Sequence, residues 1–226
     1  LPSSKRRNQR KFLDFEITRG KIPIHSIDVA YMVDHELGYI KVNRFSATTY
    51  EEFKRASRNL LNEGMQKLLL DLRNNPGGYL GAAINMANEF LDDNRLIVYT
   101  EGRSRSKEEY FSNASGQLLN TEVVVLIDEG SASASEIVAG ALQDNDRGLV
   151  AGRRSFGKGL VQEQFENKDG SAFRITTQRY YTPTGRCIQK PYQVGAKNQY
   201  DNDWLDRLNS GELTSKDSIH FADSLM

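Results

Sequence analysis

Two short, unbroken apolar runs constrain this chain most: Leu68–Leu70 and Val123–Ile127. Each is closed by an aspartate, Asp71 and Asp128, then by a loop rich in glycine or serine, then by a helical apolar stripe. Unbroken apolar runs of this length suit strands covered on both faces, as in a parallel sheet. Further strand-like stretches fall at Gly38–Val42, Leu96–Tyr99, Leu149–Ala151 and Ala172–Tyr180, and Phe12–Thr18 alternates in the manner of a strand. Between them lie three helical stripes. Thr49-Tyr-Glu-Glu52 reads as a capping box with Thr49 at the N-cap, followed by Phe53, Ala56, Leu60 and Leu61 and stopped by Gly64. Leu80 to Leu91 and Ile137 to Leu142 carry the second and third. Strands alternating with helices define an α/β chain with right-handed crossovers.

Several functional classes are excluded at once. The 226 residues carry 30 basic and 30 acidic side chains. A net charge of zero leaves no broad basic field for nucleic acid and no polybasic membrane anchor. No apolar stretch approaches the roughly 20 residues of a membrane-spanning helix. The lone Cys187 allows no internal disulfide and no cysteine-based zinc site. Leu1–Arg10 is polar and basic and reads as a linker, Gly102–Thr121 reads as a polar surface loop, and the chain from Lys190 onward is charged, with Tyr200, Trp204, Leu205 and Leu208 as sparse anchors.

Three segments can carry chemistry. Asp71-Leu-Arg-Asn-Asn-Pro-Gly-Gly78 follows a strand and precedes a helix. Its paired glycines permit close backbone approach and can aim N–H groups into an oxyanion hole, or they simply make a strand-to-helix turn. Gly130-Ser-Ala-Ser-Ala-Ser-Glu136 opens the third helix, where a serine is either a nucleophile or an N-cap. Gly152-Arg-Arg-Ser-Phe-Gly-Lys-Gly159 displays a lysine that is either a general base or a solvated turn residue. Gly152 to Lys158 also fits a phosphate-loop pattern, but Gly159 stands where that loop needs Ser or Thr. His25, His35 and His220 lie outside all three segments, so a serine nucleophile here would take a lysine as its base.

Read in register, Gly130–Ile137, Ala139–Asp144 and Ser155–Gln162 resemble the signature of the carboxy-terminal processing peptidases, the tail-specific proteases of the S41 family of serine peptidases. Gly38–Val42, Asp71–Gly78 and Tyr180–Arg186 match further blocks, and the resemblance spans about residues 12 to 192. It implies an α/β fold of the ClpP/crotonase-like spiral type, built of ββα units. It implies Ser133 as nucleophile, Lys158 as general base and Gln162 as the residue that orients the lysine. The oxyanion hole falls on the N–H groups of Gly78 and Ala134, with Gly77 as the fallback, and Asp144 falls on an acidic position of structural support. Lys158 and Gln162, four apart, are expected to share a face of a strand or helix. Ser131 and Ser135 are expected to cap and to pack.

The implied reaction is hydrolysis of a protein chain near an unstructured C-terminal tail, through an acyl-enzyme, with no metal or organic cofactor. The implied partners are protein or peptide substrates, not nucleic acid, with adaptor binding or self-association assigned to regions outside the chain. On this resemblance residues 1–18 are a linker and the last strand of an otherwise absent PDZ domain, 19–192 the catalytic core, and 193–226 a truncated C-terminal segment. The implied location is the bacterial cell envelope, periplasmic or membrane-anchored. The competing reading is a non-proteolytic binding or scaffolding relative of the crotonase-like fold.

Overall fold

A computed structural model of the chain describes residues 3–4, 13–14, 16–18, 20, 24–192 and 197–214. Strands β1 (Ser3–Ser4) and β2 (Leu13–Asp14) form a small antiparallel pair. The site is carried by a five-stranded sheet built from β3 (Val29–Met32), β4 (Leu37–Lys41), β5 (Lys67–Asp71), β8 (Glu122–Ile127) and β9 (Leu149–Gly152), in that spatial order. β3 runs antiparallel to β4, and all other pairings are parallel. A second sheet, wholly antiparallel, has the order β10 (Leu160–Glu166), β11 (Ala172–Tyr181), β6 (Leu96–Gly102) and β7 (Arg105–Phe111).

Parallel strands need crossovers, and helices supply them. α1 (Thr49–Asn62) links β4 to β5, and α3 (Ala134–Asp144) links β8 to β9. α2 (Leu80–Asn88) follows β5 and packs on α3, and both touch β6 of the second sheet. The core lies between the five-stranded sheet and these helices, where Ile40, Leu68, Leu70, Phe53, Phe90, Met86, Ile137 and Leu142 are all fully buried. Gly64 closes α1 with φ +103°, a turn that its missing Cβ permits.

Four expectations are corrected. The apolar runs are not covered equally on both faces. Ile40, Leu68, Leu70, Val123 and Val125 are buried under the helices, whereas Tyr39, Leu69 and Val124 are half-buried on the opposite face. The Thr49 capping box does not form: Thr48 is the N-cap, and the Glu52 carboxylate instead accepts from Thr48 Oγ1 (2.7 Å), Ser26 N (2.7 Å) and Ile27 N (3.1 Å). The polar stretch 102–121 contains strand β7, whose charged side chains face solvent while its backbone pairs with β6. Of Phe12–Thr18, only Leu13 and Asp14 form a strand; Phe12 and Phe15 lie outside the described residues, and Ile17 is exposed. Among the described residues no helix is long and apolar enough to cross a membrane.

Candidate active site

The site forms where β5 and β8 end side by side, with Asp71 in register with Leu126. The two loops that leave these strands are stitched together. Asn75 donates from Nδ2 to Val42 O (2.8 Å) and accepts from Gly77 N at Oδ1 (2.9 Å). Its carbonyl accepts from Ala132 N (2.9 Å) and Ser135 Oγ (3.0 Å). Asp128 Oδ1 accepts from Asn74 N (2.8 Å) and Gly130 N (2.9 Å). Ser131 Oγ accepts from Asp128 N (2.9 Å) and donates to Leu72 O (2.8 Å). Ser131 and Ser135 thus lock the two loops together, the first of them in place of the capping role expected for it.

Below this junction Asp71 is completely buried. It accepts from Tyr39 Oη (2.7 Å), from Arg73 Nε (3.0 Å) and Nη2 (2.7 Å), and lies 3.4 Å from Lys41 Nζ. Burial alone would raise its carboxyl pKa, but the bonds from Arg73 and Tyr39 outweigh that and hold it far below the usual carboxylate range. Burial and the same carboxylate push the Tyr39 phenol up to about 12.

Ser133 stands at the N-cap of α3 with φ 54° and ψ −111°. A non-glycine residue in this region costs about 1–3 kcal/mol and persists only where its surroundings impose it. Here they do: Ser133 N donates to Glu136 Oε2 (2.7 Å), and Ala132 is tied to Asn75. Gly77 presses against the turn from the other side. A Cβ on Gly77 would lie 2.5 Å from Ala132 O and 2.8 Å from both Ala134 N and Ser133 Cβ, at φ +89°. A Cβ on the next residue, Gly78, would collide with the Phe45 carbonyl. Phe45 N donates to Gly77 O and Tyr79 N to Phe45 O, both at 3.0 Å, so the backbone passes Phe45 like a strand.

The hydrogen bonds sort the two glycines. The Gly77 N–H is occupied by Asn75 Oδ1, whereas the Gly78 N–H and the Ala134 N–H have no acceptor among the described residues. Ala134 is the first residue of α3, where the helix dipole also favours a negative oxygen.

Lys158 lies in the irregular segment 153–159, ahead of β10. Its backbone is fixed by Glu136, a residue that motif reading passed over. The Glu136 carboxylate accepts from Ser155 Oγ (2.6 Å) and Gly157 N (2.7 Å) on Oε1, and from Lys158 N (2.9 Å) on Oε2, the oxygen that also receives Ser133 N. With 7% of its surface exposed, its pKa is raised by burial, which these four donors only partly offset. One signal was available: Ser133-x-x-Glu136 is itself a capping-box spacing.

Glu136 therefore brings the Ser133 and Lys158 backbones onto one oxygen. No hydrogen bond joins their side chains: Ser133 Oγ accepts from the Glu136 N–H in the capping box of α3, Lys158 is exposed, and among the described residues Lys158 Nζ and the Gln162 amide make no hydrogen bond. The expected shared face of Lys158 and Gln162 does not arise. Lys158 precedes the strand, and a bulge between Val161 and Gln162 breaks the alternation. Asp144, at the far end of α3, accepts from Thr184 N (3.0 Å) and Thr184 Oγ1 (2.6 Å) and pairs with Arg186, holding the 182–186 turn. The side chains of His25 and His35 are 65% and 87% exposed, and His220 lies outside the described residues. Among the described residues, no three His, Cys, Asp or Glu side chains are grouped so as to hold a metal.

A serine on a strained turn at a helix start, with acceptor-free N–H groups on Ala134 next to it and on Gly78 in the loop packed against it, suits a site that works by nucleophilic attack on a carbonyl. The comparisons point the same way. Residues 36–198 match the model of Peptidase family S41, and the chain belongs to that family. It is 40% identical over 181 residues to a carboxyl-terminal-processing protease of Synechocystis sp., covering 78% of this chain and 42% of the relative. It is 45% identical over 156 residues to the protease of the same description from Picosynechococcus sp., covering 69% and 37%. Among solved structures it resembles a photosystem II D1 C-terminal processing protease, with a TM-score of 0.67 and 34% identity over 76% of this chain and 47% of that one. The chain thus spans about two fifths of the length of the curated relatives it matches.

Proposed function

We propose that the chain is the catalytic part of a serine endopeptidase that cleaves proteins near unstructured C-terminal tails. Ser133 attacks the scissile carbonyl after giving its proton to neutral Lys158. Gly78 N–H and Ala134 N–H hold the oxyanion, Lys158 protonates the leaving amine, and water releases the acyl-enzyme. Gln162 orients the lysine, and Asp144 supports α3 through the 182–186 turn. The observation that carries this reading is the strained Ser133 turn, with the two acceptor-free N–H groups beside it and the Lys158 backbone tied to the same carboxylate oxygen.

Three finer assignments accompany it. The mixed five-stranded sheet with its packed antiparallel partner supports the ClpP/crotonase-like spiral. A PDZ domain ahead of the core, capturing the substrate tail by strand addition, is part of this reading; the curated relatives extend well beyond the stretch they share with this chain. Their bacterial origin supports a cell-envelope location, where adaptors or self-association act through other regions of the protein.

The test is cleavage of an unfolded protein by the full-length enzyme. Ser133→Ala and Lys158→Ala each remove cleavage while the melting temperature stays within a few degrees of the parent, and Gln162→Ala lowers the rate by less. Full activity in either of the first two variants overturns the dyad. Histidine chemistry returns if His25→Ala, His35→Ala or His220→Ala is as damaging as Ser133→Ala.

A further inference from the structure

The segment that carries Lys158 is gripped on its outer side by the C-terminal helix α4 (Lys197–Asn209) and the turn after it, which lie almost wholly beyond the family match ending at residue 198. Glu212 is the hub. It accepts from Arg154 Nε and Nη2, both at 3.1 Å, and from Arg207 Nε at 2.8 Å. Arg207, whose side chain is only 4% exposed, also donates from Nη2 to the Arg154 carbonyl (2.7 Å). Two arginines, one on the lysine segment and one on α4, are thus bridged by a single carboxylate and a backbone carbonyl.

A second grip lies two residues further along. Lys190 N donates to Gly157 O (2.9 Å), and Lys190 Nζ sits 4.7 Å from the Phe156 ring centroid and 4.1 Å from that of Tyr200 on α4. The same ammonium reaches Tyr200 O and Asp203 Oδ2, both at 3.2 Å. A cation held between two rings and a carboxylate, largely out of water, is worth more than an exposed pair. On its inner side the segment is held by Glu136 and by Phe156 N donating to Ser131 O (2.9 Å).

We propose that α4 and the Glu212 turn are a latch that positions the lysine segment against α3, with Arg154, Arg207, Glu212 and Lys190 as positioning residues for Lys158. The proposal rests on the Ser133/Lys158 reading above. None of the four latch residues belongs to the proposed dyad or oxyanion hole. Each acts through the backbone of 154–157, which sets where Lys158 begins.

The experiment uses the full-length enzyme with Glu212→Ala, Glu212→Gln and Arg207→Lys, and Ser133→Ala alongside. Cleavage of an unfolded substrate gives kcat and KM, and hydrogen exchange reports the Gly157 and Lys158 amides. Glu212→Ala is expected to lower kcat about tenfold with KM within twofold, and to speed exchange at Gly157 and Lys158 at least tenfold. Arg207→Lys keeps the charge but cannot reach both Glu212 and the Arg154 carbonyl, so it is expected to lose less. Unchanged exchange at Gly157 and Lys158 in both Glu212→Ala and Arg207→Lys overturns the latch, as does faster exchange with unaltered kcat. Should Glu212→Ala fail to fold, Glu212→Gln and Arg207→Lys decide by the same two readouts. Activity retained by Ser133→Ala would overturn the dyad instead, leaving the exchange result to judge the latch.

Discussion

At the scale of single residues, Gly77 and Glu136 make the serine turn what it is. Gly77 leaves no room for a side chain against Ala132 O, Ala134 N and Ser133 Cβ, and its φ of +89° is hostile to one. Gly77→Ala must therefore push the serine turn away or unwind its own loop. We expect at least a hundredfold loss of cleavage, with a melting temperature lowered by several degrees, checked by a rate assay and thermal unfolding together. The glycine-, serine- and lysine-bearing loops after the buried strands were visible in the sequence, but their residue patterns left a cap, a turn or a solvated lysine open, and only the family resemblance singled out Ser133 and Lys158. Glu136 was not legible, because its role depends on a segment about twenty residues away folding back onto it, which no local pattern records. Gln162 illustrates the opposite failure: its spacing from Lys158 was readable, but the bulge at Val161 was not.

At the scale of elements, β4, β5, β8 and β9 were read to within a residue and the three helices to within about three, because apolar runs and stripes there follow directly from burial; the exposed edge strand β3 was not marked at all. β10 was not marked either, and β7 and α4 were missed for one physical reason. Both are polar on most of their surface, and each is held by backbone pairing or by ion pairs with a distant segment. A similar long-range device secures the end of α3. Arg147 donates to the carbonyls of Phe90 (2.7 Å), Leu118 (2.8 Å), Leu119 (2.9 Å) and Thr121 (2.6 Å). Burial lowers its pKa, yet the carbonyls still suit a cation. Arg147→Ala would orphan several of these acceptors at once, and a loss of about 3 kcal/mol is expected in denaturant unfolding. Arg147→Lys, with one nitrogen in place of a fork, should recover only part of it.

At the scale of the whole molecule, pH acts on the fold through carboxylates of opposite sign. Asp71 has its pKa lowered, so its stabilisation is present above the ordinary aspartate value of about 3.9 and is lost as pH falls through the lowered one. Glu136 has its pKa raised, so its contribution is complete below the ordinary glutamate value of about 4.3 and declines as pH rises through the raised one. Melting temperature followed from neutral pH to about pH 2 should fall less steeply in Asp71→Asn than in the parent, although the variant starts lower. If the two curves run parallel, Asp71 is not the group being titrated.

The open face of the five-stranded sheet is a second property of the whole. One row in register, Tyr31, Tyr39, Leu69, Val124 and Leu149, crosses all five strands, half-buried at its centre and exposed at Tyr31 and Leu149.

The single oxygen shared by the Ser133 and Lys158 amides has a consequence for timing. Both backbones are anchored within hydrogen-bond distance of one point, so their separation is fixed before any substrate arrives. What remains free is the Lys158 side chain, exposed and with four rotatable torsions that reorient in picoseconds to nanoseconds. On the proposed reading, pairing of the two side chains therefore needs no domain movement, which takes microseconds to milliseconds.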